Sequence, residues 1–150
     1  VNAIFADADA KKILNSGTAS QQEVISLINK WPSPKVTELI AVSVGQKDTE
    51  CRLSNKLADR LLQIDNMNSQ AWYIRAVCLN LKSNFNDALS AVDESLTFDP
   101  INPTYLVAKA KLGIAANQKT VAQSALDIIK NNYPMNSEIT ALENSIAKLK

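Results

Sequence analysis

The side chains able to do chemistry are few in this sequence and poorly spaced for it. The chain has no histidine, which removes the usual general base, the usual partner of a nucleophile and the commonest metal ligand. Cys51 and Cys78 are its two cysteines, and a zinc shell needs more thiolates or imidazoles than that. Asp7 and Asp9 lack the further carboxylates and the glycine of a calcium loop, and no glycine-rich phosphate cradle occurs. Asp93 and Glu94 adjoin, but successive helical positions point in different directions, so they are solvated acids rather than a dyad. These residues imply no enzyme, no metal and no cofactor. Function then has to come from a surface, and the elements that shape it matter most.

The stretch from Ser69 to Asn102 is the clearest of those elements. Trp72, Ala76 and Leu79 recur at helical spacing, then Lys82-Ser83-Asn84 breaks the pattern, and Phe85, Ala88, Leu89, Val92 and Leu96 resume it. Pro100 closes the unit, since it offers no N–H and disfavours helix at Asp99. Helices this short are marginal alone in water. Each must lay its apolar stripe against a neighbour.

The pattern recurs at a constant stride of thirty-four positions. The closing slot holds Pro32, Asn66, Pro100 and Pro134, and the small first-helix slot holds Ala8, Val42, Ala76 and Ala110. The second helix repeats Ser20, Ser54, Ala88 and Ala122, and deeper in Val24, Ala58, Val92 and Leu126. The last three units end alike, in Asn-Met-Asn, Pro-Ile-Asn and Pro-Met-Asn. The first hairpin reads as helices over 2–15 and 20–31, with Ser20-Gln21-Gln22-Glu23 as a capping box. The second reads as helices near 35–45 and 49–64, the latter capped by Asp48. A last helix, capped by Ser137, carries Ile139, Leu142, Ile146 and Leu149 on one face and covers the open end of the stack.

A 34-residue helix–turn–helix unit with this arrangement resembles the tetratricopeptide repeat. The best match, 69–102, carries Trp72, Ala76, Leu79, Ala88 and Pro100 at the family's aromatic, small, large, small and proline slots. Residues 103–136 match at Ala110, Ala122 and Pro134, with Leu106 in the aromatic slot; 35–68 lack both the aromatic and the proline. Residues 1–34 match at Ala8 and Pro32. Arg75 and Lys109 stand where the family prefers leucine, so their basic heads must snorkel out along the helix. The fold implied is an all-α, α–α superhelix: a single domain over 1–150, with hairpins 1–34, 35–68, 69–102 and 103–136 and a capping helix 137–150.

Composition suits thin stacked helices, at 46% hydrophobic with three glycines. The net charge of +1 hides an alternation, residues 69–102 carrying −2 and 103–136 carrying +3. No basic stripe with interleaved aromatics marks a nucleic-acid site. No apolar run in this segment is long enough to span a membrane, and no signal peptide stands out. The start at Val1 rather than Met reads as processing or as a piece of a longer chain.

The resemblance places the working surface on the first helices, which line a concave groove for a protein or peptide. One row is Phe5, Leu39, Tyr73 and Val107; a second is Asp9, Ser43, Val77 and Lys111, with Asn80, Leu81 and Ile114 beyond. Each residue has the alternative of packing within the stack. Leu39, Ser43, Ile74, Thr104 and Ala108 stand where a clamp for a terminal carboxylate needs Lys, Asn and Arg, which disfavours a chaperone-tail receptor. Cys51 and Cys78 fall at one height on adjacent helices in such a stack, open between a disulfide and two buried thiols. A bond places the chain outside the cytoplasm.

The segments AWYIRAVCLNL and LTFDPINP also resemble the soluble repeat tails of bacterial O-antigen polymerase- or ligase-like membrane proteins. That resemblance implies an extracytoplasmic tail tethered to a membrane domain, a setting slightly favoured over the cytoplasm. Two functional readings thus stand, a non-catalytic scaffold for a peptide partner and such a tail. A third is a structural module that forms homodimers through its end helix.

Overall fold

The computed structural model describes residue 55 and residues 58–59, 61–63 and 65–150. Helices joined by turns and short links account for these residues, with no strand among them, so the described part of the fold is all-α as the spacing predicts. The chain divides into two compact units, Val1–Asn66 and Met67–Lys150. In the first, residues 55, 58–59 and 61–63 are helical, inside the helix expected over 49–64. Ala58 and Leu61 are buried there, and the Asp65 N–H donates to the Leu61 carbonyl at 2.8 Å. The helices expected over 2–15, 20–31 and 35–45 lie outside the described residues.

The second unit is built from α1 (Ser69–Leu81), α2 (Phe85–Phe98), α3 (Pro103–Ala115), α4 (Lys119–Asn132) and α5 (Ile139–Ala147). α3 starts and stops one full repeat after α1, and α4 does so after α2. α1 packs on α2 and α3 on α4 as hairpins, α2 packs on α3, and α5 lies on α4 and the edge of α3. Among the described residues no helix is long and apolar enough to cross a membrane.

Local chemistry fixes this stride. The side chains of Asn68 and Asn102 cap α1 and α3, the first accepting from the Ala71 N–H at 3.1 Å, the second from Thr104 and Tyr105 at 3.0 and 3.3 Å. Pro103 takes the first helical position of α3, where a missing N–H costs nothing. Both hairpin turns reverse through one left-handed residue, Ser83 and Asn117. After each, an N–H reaches back to a carbonyl of the preceding helix, Asn84 to Leu79 at 2.9 Å and Gln118 to Gly113 at 2.7 Å. That closure satisfies carbonyls the helix end leaves open.

Two apolar clusters hold the hairpins together. Ala76, Ala88, Leu89, Ala91, Val92 and Leu112 form one, with Trp72, Leu79 and Phe85 packed against it. Leu106, Ala110, Ala122, Ala125, Leu126, Ile129, Leu142 and Ile146 form the other. Leu112 of α3 sits in the first cluster, so the second hairpin completes the core of the first. Full burial of a side chain such as Leu106 or Ile129 contributes about 1.5–3 kcal/mol. Gly113 lets α3 and α4 approach so closely that a β-carbon there would lie 2.9 Å from the Ala122 nitrogen.

Polar ties act within and between the hairpins. Within the α1–α2 hairpin the buried Ser95 hydroxyl donates to the Ser69 carbonyl at 2.8 Å, and between the hairpins Gln118 donates to Asn86 at 2.8 Å. The Tyr133 hydroxyl donates to the Ile101 carbonyl at 2.5 Å. The two basic residues in leucine slots find partners at the edge of the stack. The Arg75 guanidinium lies 5.0 Å from the centre of the Trp72 ring, and the Lys109 ammonium meets Asp93 of α2 at 2.7 Å.

The start of the last helix differs from expectation. α5 begins at Ile139, and Ser137 is an exposed turn residue rather than its cap. No side chain caps the first turn of α5; the Asn136 side chain instead holds the turn that leads into it, accepting the Glu138 N–H at 2.8 Å. The reason is the repeat itself, since Asn136 is the next repeat's counterpart of Asn102. Leu142 and Ile146 of α5 are buried, with Ile139 packed beside them, as the apolar spacing requires.

Candidate functional site

α1 and α3 meet through their side chains at one end. The Tyr73 and Tyr105 rings lie 5.1 Å apart, tilted by 39°, and the Ser69 hydroxyl is 3.3 Å from that of Tyr105. Beyond this aromatic bridge a concavity of about 520 Å³ opens between the two helices. Tyr73, Val77 and Asn80 line it from α1, and Thr104, Val107 and Lys111 from α3. Ala76, Val92, Ala108 and Leu112 also line it, and Asn136 and Glu138 enter from the approach to α5. Small and branched apolar residues leave the space; amide, hydroxyl and charged groups join them from the helices and the α5 approach.

The electrostatics of the site are simple. Among the described residues Lys111 is its one lining cation and Glu138 its one lining carboxylate, and they face each other at 3.4 Å with 57% and 41% of their side chains exposed. Burial pushes the Tyr73 hydroxyl above the ordinary tyrosine range, because the phenolate would lose water. Among the described residues no three His, Cys, Asp or Glu side chains come together as a metal site would require. The Asp93 carboxylate is taken up by Lys109.

Five residues that the sequence places on the groove, Tyr73, Val77, Asn80, Val107 and Lys111, line this concavity together. Leu81 does not: it is exposed at the end of α1, just before the turn. Ile114 does not either; it packs against the cluster around Leu106 and Leu126. Phe5, Asp9, Leu39 and Ser43 lie outside the described residues. So does Cys51; Cys78 is buried in α1 and disulfide-bonded.

Sequence spacing does not place Ala76, Val92, Pro103, Thr104, Ala108, Leu112, Asn136 or Glu138 on the groove. Val92 reads as ordinary second-helix core, and a buried residue can also floor a cleft. Asn136 had a signal in the ladder Asn68, Asn102 and Asn136, which marks the start of each first helix. Glu138 had none, since its position depends on where α5 turns back. The chain matches no protein-family model, no curated protein and no solved structure.

Proposed function

We propose that this chain is a tetratricopeptide-like helical-repeat module that holds an extended segment of a protein partner in the concavity between α1 and α3. The observation that carries this reading is the concavity itself, which brings together five side chains that a constant repeat assigns to one inner face. Its chemistry suits a peptide. Ala76, Val92, Ala108 and Leu112 offer room for an apolar side chain, whose burial stabilises the complex by about 1.5–3 kcal/mol before the cost of ordering. Asn80, Thr104 and Asn136 supply the donors and acceptors that a peptide backbone carries.

Selection of a phage-displayed library of random linear peptides on the full chain tests it. Val107→Arg fills the site and is expected to weaken the selected peptides at least tenfold, about 1.4 kcal/mol. Ile128→Arg, on the exposed side of α4, leaves them bound. Peptides indifferent to Val107→Arg would place the working surface elsewhere.

A second reading, the extracytoplasmic tail of a membrane polymerase- or ligase-like protein, has one observation in its favour. Cys78 is disulfide-bonded, and such bonds persist in oxidising compartments. Alkylation of the purified chain followed by mass spectrometry tests it: both cysteines label only after reduction if this reading holds, and label at once if it does not.

A further inference from the structure

We infer that Glu138 is an internal stand-in for an acidic side chain of the partner, which displaces it from Lys111. The inference rests on the concavity being the peptide site. Within α1 and α3, Arg75, Lys109 and Lys111 are the charged residues, and neither helix carries an acid. The two walls therefore present only positive charge, and among the described residues the carboxylate lining the space comes from the approach to α5.

The three bases are not equivalent. Arg75 lies over Trp72, and Lys109 is partly buried against Asp93 at 2.7 Å, so both are committed to the stack. Lys111 alone faces the concavity, and its contact with Glu138 is longer and well solvated. An exposed pair of this kind holds by no more than a few-fold in equilibrium constant. A ligand carboxylate seated beside the apolar floor is better shielded from water, and charge pairs strengthen as water is excluded.

The backbone at Glu138 lets its side chain leave without disturbing α5. Its N–H stays with Asn136, and Leu142 and Ile146 anchor the helix in the core. The side chain is already 41% exposed, so leaving Lys111 returns it to water rather than to a buried site. With Glu138 in place, an acidic ligand meets repulsion and an occupied lysine; with Glu138 swung out, it meets a free cation. The contact thus discriminates against weakly seated ligands and selects those with an acid next to an apolar anchor.

The test uses fluorescently labelled peptides selected from the random library on the full chain. Peptides enriched in Asp or Glu beside an apolar residue are expected. Glu138→Gln should bind them about two- to fivefold tighter. Lys111→Met should remove the advantage of the acidic peptide over its amide counterpart while the apolar contact still binds; thermal melts confirm the fold, and Lys111→Gln repeats the test. Equal affinity of Glu138→Gln and the parent, or enrichment of Lys and Arg in the peptides, overturns the inference. Peptides lost on Val107→Arg yet indifferent to Lys111 and Glu138 overturn this inference alone. A library that yields no peptide overturns the site reading as well.

Discussion

Ser83 and Asn117, thirty-four positions apart, hold the same left-handed backbone at φ 58° and 55°. Each reverses the chain between two helices and sends the next N–H back to the helix just ended. Both side chains put a β-carbon against the backbone here; asparagine offsets this better than serine because its amide can hydrogen-bond locally. Ser83→Gly is therefore expected to stabilise the chain by about 0.5–1 kcal/mol, the relieved strain outweighing the entropy glycine adds to the unfolded state. Urea unfolding measures it, and an unchanged or lower midpoint would contradict the assigned turn.

Gly113 faces Ala122 where α3 crosses α4. Alanine normally helps a helix interior by about 1 kcal/mol over glycine. Here its β-carbon would meet backbone that cannot yield locally, and such overpacking costs about 1–3 kcal/mol. Gly113→Ala should lower stability, against the helix-propensity trend. A stabilised variant would show that the hairpin is looser than described.

The caps separate two assignments. Asn102→Ala removes the acceptor for the Thr104 and Tyr105 N–H groups and should cost about 1 kcal/mol. Ser137→Ala, at an exposed turn position, should change stability by less than about 0.5 kcal/mol. The opposite order in denaturant unfolding would restore Ser137 as the cap of α5.

Tyr73 gives the site a pH signature. Its hydroxyl holds its proton to a higher pH folded than unfolded, because burial disfavours the phenolate. The contribution is complete below the ordinary tyrosine pKa of about 10 and falls away as pH climbs through the folded value. Tyr73→Phe keeps the ring contact with Tyr105 and removes the titration. Unfolding of parent and variant at increasing alkaline pH should show the parent losing ground; parallel profiles would contradict the burial of that hydroxyl.

The helices of the second unit were legible because their apolar spacing and their breakers agree. Lys82-Ser83-Asn84 and Pro100 interrupt the pattern where α1 and α2 end, and the constant stride carries the same bounds to α3 and α4. The lining of the concavity was legible at Tyr73, Val77, Asn80, Val107 and Lys111, which lie on the first helices of their repeats. Leu81, exposed at the end of α1, and Ile114, packed against the cluster that Leu142 and Ile146 of α5 join, fall outside it. Glu138 was invisible, since a residue outside the repeat takes its place from tertiary packing. Ser137 misled because serine before an apolar run is a good cap signal, and Asn136 sits just before it with the same chemistry.

The central claim is that the inner face shared by α1 and α3 is where a partner is held. Isotope-edited NMR of the full chain titrated with a selected peptide reads this residue by residue. The signals of Tyr73, Asn80, Val107 and Lys111 are expected to shift together while those of Asp127 and Ile128 on α4 stay in place. Shifts confined to α4, with the α1 and α3 signals unmoved, would contradict it.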